Sequence, residues 1–210
     1  MSIMTKSTFA LVGAMLFAIP VAANAEAIHA DAARKFVEDL GNRTVDALKL
    51  PSSAAERSIG FTGIMLDCLD FDAIGIYALG KLSRVTTPEQ LREFTPLFTA
   101  YVIDLAIERL GNLQIQSFGL GSVAPQPNGD AKVHTRIITG DRSMEVYWRV
   151  RNTGGSAKII DIEIEGASLA IYYYSEFDRT GPTTVSQLIA RLKELTRSSK
   201  TLATVQQPVR

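Results

Sequence analysis

The side chains able to do chemistry are few and scattered. The chain has two histidines, His29 and His134, and one cysteine, Cys68. A transition-metal site needs three or four such ligands brought together, and a catalytic thiol needs a base beside it. Two distant histidines supply neither, and Cys68 lies in the apolar run IMLDCLDF, where it reads as a buried, inert thiol. Asp161, Glu163 and Glu165 are close together, but they fall on alternate residues, which on a strand makes one solvated face. Gly119-Leu120-Gly121 is a lone G-x-G within a strand, and no P-loop, H-E-x-x-H or G-x-S-x-G occurs. Nothing asks for a metal or a cofactor.

Charge excludes further classes. The 22 basic residues balance 22 acidic ones, whereas nucleic-acid binding leans on clustered Lys and Arg. A strongly basic membrane-surface patch is disfavoured on the same ground. What the sequence does cluster is aromatic residues: Phe94, Phe98, Tyr101, Trp148, Tyr172, Tyr173, Tyr174 and Phe177. Any one of them can be ordinary core. As a set, in a helix-plus-sheet domain without catalytic groups, they suit an apolar pocket.

The elements that would position them begin after a targeting segment. Lys6, the apolar Thr8–Ile19 and the A-x-A site Ala23-Asn24-Ala25 read as a signal peptide over residues 1–25, cleaved after Ala25, so that the mature chain is exported. An apolar run of about 12 residues is too short for a bilayer core of ~30 Å. No cysteine follows the cleavage site to take a lipid, and one cysteine allows no internal disulfide.

The remainder reads as a single α+β domain over residues 26–197, followed by a polar tail at 198–210. Helices fill 27–110. Asp70 is placed to cap one of them, and Gly75 and Gly80 weaken that segment. Thr87-Pro88-Glu89-Gln90 is a capping box with proline at the first helical position. Leu91, Phe94, Phe98, Tyr101 and Leu105 then form one stripe, with Pro96 expected to bend the helix and Gly111 to end it. A strand meander fills 113–165: Leu113–Val123, Ala131–Ile138, Ser143–Arg151 and Ala157–Glu165, joined by short turns that force antiparallel neighbours. Val146, Trp148 and Val150 form one face, matched by Ile160, Ile162 and Ile164, while Ile159 falls with Asp161 and Glu163 on the other. Helices return over 168–196.

Two stretches carry a resemblance. FTGIMLDCLDFDAIGIYALGKLSRVTTPEQLREFTPLF and VYWRVRNTGGSAKIIDIEIEGASLAIYYYSEF resemble the two halves of the MlaC family, also called the toluene-tolerance auxiliary family, which has a hopanoid-associated branch. The resemblance runs from about Phe36 to Leu195. It implies a four-stranded antiparallel curved sheet packed on helices, a nuclear-transport-factor-like cone with an apolar cavity. It further implies a periplasmic lipid carrier, which holds a phospholipid by its acyl chains with the head group outward. The implied partners are an outer-membrane lipoprotein complex and the inner-membrane components of an ABC transporter. Lipid binding is then expected at Ile74, Tyr77, Phe94, Phe98, Tyr101, Val146, Trp148, Ile160, Ile162, Leu169 and Tyr172. Arg149 and Arg151 alternate away from Trp148 and read as surface groups. Two alternatives stay open: a non-catalytic interaction module, and an isomerase or dehydratase of the same cone, which would need an ionisable residue on the pocket face.

Overall fold

The computed structural model describes residues 27–49, 53–110, 115–140, 142–179 and 181–206. The expected signal peptide and Gly111 lie outside them. Four helices come first: α1 (Ala30–Lys49), α2 (Ala54–Cys68), α3 (Phe71–Leu79), a 3₁₀ turn at Gly80–Val85, and α4 (Pro88–Leu110). Their starts are set by side chains that satisfy the free N–H groups of a first turn. Ser53 and Glu56 close a reciprocal capping box on α2. The Asp70 carboxylate accepts from the Ala73 N–H at 2.9 Å. Thr87 and Gln90 exchange bonds of 3.0 and 3.2 Å. α4 runs on through Pro96 as one helix.

The glycines of α3 have a packing reason. A Cβ on Gly75 would stand 3.0 Å from the Phe94 ring and 3.4 Å from that of Phe98, so its absence lets α3 lie against the stacked pair on α4. Gly80 ends α3 at φ +51, with the Tyr174 ring where a Cβ would go.

The strands follow as β1 (Ile115–Pro125), β2 (Ala131–Thr139), β3 (Arg142–Thr153), β4 (Ser156–Ile164) and β5 (Ala167–Ser168). They form one antiparallel sheet in the order β1-β2-β3-β4-β5. The expected meander has thus gained a fifth strand, two residues long, which pairs with Glu163 and Ile164. Then come α5 (Leu169–Arg179), α6 (Val185–Leu195) and α7 (Lys200–Val205). The last corrects the expected polar tail. Ser199 caps α7 by accepting from the Leu202 N–H at 3.0 Å, Thr201 is buried, and the helix lies against α4.

The register corrects one face of β4. Arg149 pairs with Asp161, but Val150 pairs with Ile159, so the ladder slips by one residue and Ile160 is the extra one. A bulge of this kind bends the strand and raises its twist. Its effect is to turn Ile159 onto the same face as Ile162, although simple alternation separates them. Ile159 and Ile160 are both fully buried. Two more slips bend β1, between Ile115 and Ser117 and between Leu120 and Val123.

Cover over the apolar face is uneven. α1 packs across β1 to β4, and α2 and α3 reach β4. Under them Ala131, Val133, Val150 and Ile159 are sealed from solvent. Toward the other end of the same face Ile137 and Met144 are half-buried, and Ile164 is 40% exposed.

The close approach at Gly75 sets an expectation for unfolding. Gly75→Leu should lower the unfolding free energy by about 1–3 kcal/mol, because the Phe94–Phe98 pair must shift. Gly63→Ala, where nothing lies within 4 Å of the added carbon, should instead gain about 0.5–1 kcal/mol of helix propensity. Urea unfolding of both variants reads the difference.

Candidate functional site

The open end of the sheet is where apolar surface meets the ends of two helices. The strand register places on one face Val133, Thr135, Ile137 and Thr139 from β2, Met144, Val146, Trp148 and Val150 from β3, and Ile162 and Ile164 from β4. No residue among these ionises. The Trp148 indole donates to the Thr135 hydroxyl at 2.8 Å, and that hydroxyl donates to the Val146 carbonyl at 3.2 Å. An indole whose N–H is spent inward presents only hydrocarbon to whatever lies over it. Arg142 stands exposed at the rim.

Two helix ends converge here for topological reasons. α4 ends a few residues before Ile115, which pairs with Thr139 at the far end of β2. α5 begins at Leu169, directly after the β5 residues that pair with Glu163 and Ile164. Arg109, in the last turn of α4, donates from Nη2 to the Tyr172 hydroxyl at 3.1 Å, and its guanidinium carbon stands 5.4 Å from the Tyr172 ring centroid. One exposed side-chain pair therefore joins the two helices at the mouth of the face. Behind it the aromatic residues form a chain: Tyr172 to Tyr173 at 5.3 Å, Tyr173 to Tyr101 at 6.0 Å and to Phe98 at 5.4 Å, and Phe98 to Phe94 at 5.3 Å.

The side chains expected to bind lipid fall into four environments. Ile74, Phe94, Phe98, Val146 and Ile160 are buried. Tyr101, Trp148, Ile162 and Leu169 are half-buried and pack on the core from its margin. Tyr172 is 38% exposed at the mouth. Tyr77 is elsewhere. It is 47% exposed and lines a surface groove of about 300 Å³ with Lys81, Ile171 and Tyr174, between α3 and α5.

The opposite face of the sheet is ionic, and it holds residues that alternation alone described poorly. Asp130 is 2% exposed. It accepts from Arg149 at 2.8 Å, from Arg151 at 2.8 and 3.1 Å, and from the Asn128 amide at 2.7 Å. Burial pushes its carboxyl up, but the hydrogen bonds from Arg151, Asn128 and Arg149 outweigh it and hold Asp130 below the ordinary aspartate range. Arg149 and Arg151 are accordingly half-buried partners of a hidden carboxylate rather than plain surface groups. Asp130 was missed in the sequence, though its place one residue before β2 puts it beside the outward arginines. Asp161 is not simply solvated either. It accepts from the Ile162 and Ala170 N–H groups and from the Ser168 hydroxyl, fastening the start of α5 to β4. A polar cavity of about 160 Å³ opens on this face among Lys132, Tyr147, Arg149, Asp161 and Glu163.

Cys68 is buried, and burial pushes its thiol up, against the pull of Arg43. Among the described residues no cluster of His, Cys, Asp and Glu could hold a metal, and no helix is long and apolar enough to cross a membrane.

With this geometry in place, comparison with known proteins is informative. A family model described as MlaC protein matches residues 38–194. The fold is similar to that of the phospholipid-binding protein from Ralstonia solanacearum, solved in complex with a phospholipid. The TM-score is 0.66, at 19% identity, over 83% of this chain and 99% of that one. At that identity the likeness is one of fold. No curated protein matches in sequence.

The Asp130 cluster generates a pH expectation. A carboxyl depressed by folding contributes stability that is full above its unfolded value and is lost as pH falls through the folded one. Melting temperature should therefore drop on the acid side, below about pH 4, and Asp130→Asn should flatten that part of the profile. At neutral pH the same variant should cost about 2–3 kcal/mol, less than for a fully buried pair because both guanidinium groups reach solvent. Thermal melts of both proteins from pH 3 to 7 check the two statements together.

Proposed function

Because the chain belongs to the MlaC family, we propose that it is a periplasmic lipid carrier. It is exported with loss of residues 1–25 and shuttles a phospholipid between an outer-membrane lipoprotein complex and the inner-membrane components of an ABC transporter. The observation that carries this reading is the apolar sheet face that runs past its helical cover and meets an ionisable residue, Arg142, only at its rim. The phospholipid named in the Ralstonia structure supports the same cargo.

The energetics fit a carrier. Two acyl chains of about 30 carbons in all carry roughly 20 kcal/mol or more of gross transfer free energy at ~0.8 kcal/mol per CH₂. The membrane offers nearly the same, so the protein has only to match it with a dry surface. Ile137, Met144, Trp148, Ile162 and Ile164 supply that surface, with Tyr101 and Leu169 at its margin. The chains lie along it and the head group stays at the mouth. Ile74, Phe94 and Phe98 belong to the closed core that holds α3 and α4 rigid beneath.

A cone-fold isomerase or dehydratase would place an acid or base on the pocket face. Among the described residues the one buried aspartate, Asp130, lies on the opposite face, and its carboxyl is held low rather than raised, which favours binding over catalysis.

Native mass spectrometry of the mature protein, purified from the periplasm without detergent, tests the reading. A two-chain phospholipid adduct is expected. A hopanoid adduct would keep the carrier and change the cargo. A bare protein that also takes no lipid from vesicles would overturn the reading and leave an interaction module. Ile162→Trp should lower captured lipid severalfold while unfolding near the parent's midpoint. Equal lipid with a large loss of stability would instead make Ile162 ordinary core.

A further inference from the structure

Arg34 and Arg109 are bonded to neutral groups, Arg34 to the Gly121 carbonyl and Arg109 to a phenol, and of the two only Arg109 lies on the α4–α5 bridge. Arg43, Arg92, Arg136, Arg149, Arg151 and Arg179 each face a carboxylate. The partner found for Arg109 among the described residues is the Tyr172 phenol, a neutral group that leaves the positive charge uncompensated. The charge sits at the mouth of the apolar face, on an exposed residue, and the hydrogen bond to the Tyr172 hydroxyl and the contact with its ring hold the guanidinium there. A guanidinium plane can offer two parallel N–H donors to a phosphate.

Other donors stand close by. Tyr101 lies two turns earlier on α4, and Tyr172 and Tyr173 are consecutive on α5. Burial pushes the Tyr101 and Tyr173 phenols up, so both remain protonated. The nearest acidic neighbour on α5, Glu176, is engaged by Arg179 at 2.6 Å. One interaction opposes anion binding: α4 ends here, and its free carbonyls make the place partly negative. A full charge on Arg109 outweighs a fractional one, but a purely structural role, in which Arg109 serves the helix end, has to be separated by experiment.

The geometry points to Arg109, flanked by the Tyr172 ring and backed by the Tyr101 phenol, as the ligand of the phosphate in the bound lipid's head group. This inference rests on the carrier reading and adds to it a recognition element: acyl chains on the sheet, phosphate on the α4–α5 bridge. Tyr172 then has two states. Without cargo its hydroxyl occupies the guanidinium; with cargo the phosphate displaces it, and the ring still flanks the site.

The test compares two lipids with identical chains. Full-length mature protein is equilibrated with vesicles containing equal parts of phosphatidylglycerol and diacylglycerol, recovered, and its lipid extracted and weighed by mass spectrometry. The parent should take phosphatidylglycerol in excess. Arg109→Gln should lower that excess roughly tenfold, the scale of a charge-assisted hydrogen bond, while still capturing diacylglycerol. Arg109→Lys, a charge without the fork, should fall between, and Tyr172→Phe should keep the preference. An unchanged ratio in Arg109→Gln overturns the assignment and leaves the carrier reading intact. Capture of neither lipid by the parent overturns both. Calorimetric titration with inorganic phosphate closes the remaining route. Heat that vanishes in Arg109→Gln, together with no preference between the two lipids, would assign the cluster to free phosphate and overturn the head-group role.

Discussion

A single extra residue in β4 governs how the two faces of the sheet are used. With Ile160 taken out of the ladder, Ile159 and Ile162 face the same way, although their spacing of three would otherwise put them on opposite sides. Everything built on β4 follows from that slip. Ile159 closes the sealed end under α1, α2 and α3. Ile162 and Ile164 continue the apolar face beyond those helices. Asp161 remains outward, where its carboxylate collects the start of α5. Without the bulge, one end or the other of this strand would present its polar row to the helices.

The outcome is a strict separation of solvents. One side of the sheet carries hydrocarbon, with the Trp148 N–H bonded to the Thr135 hydroxyl and Arg142 only at its rim. The other carries Asp130 with its two arginines, and Lys132 with Glu163 at 2.7 Å. The helix α4 mirrors this division along its length. Its first half, held by Gly75 against α3, is core. Its second half keeps Val102 and Ile103 in the core and reaches water only in the last turn, at Glu108 and Arg109. A molecule with two hydrocarbon tails and a charged head has the same order of environments from one end to the other.

Much of this architecture was legible in the residues. Thr87-Pro88-Glu89-Gln90 marks the start of α4 because capping is a local interaction, complete within four residues. The hairpins of the meander are equally local, since short Gly- and Asn-containing turns leave an antiparallel partner as the only outcome. The rest depends on contacts that the local pattern does not encode. A bulge leaves no trace in composition, so Ile159 was placed with the acidic row. Asp130 reads as a turn residue until β3 brings two arginines over it. Tyr77 continues an apolar segment, yet the helix turns it to solvent because Ile74 and Ala78 take the buried side. Lys200–Val205 looks like a polar end until Ser199 caps it and α4 offers a surface.

The same slips that bend the sheet also spoil its borders. β1 is one outer strand and is long, but two register shifts and the terminal Pro125 break its row of free backbone groups. β5, on the other side, is two residues long and passes at once into a helix. Neither border is a good template for a further strand from a neighbouring molecule. A chain that leaves hydrocarbon uncovered on one face is thereby protected against the commonest way in which such surfaces lead to fibrils: recruitment of copies edge to edge before the exposed face finds its proper occupant.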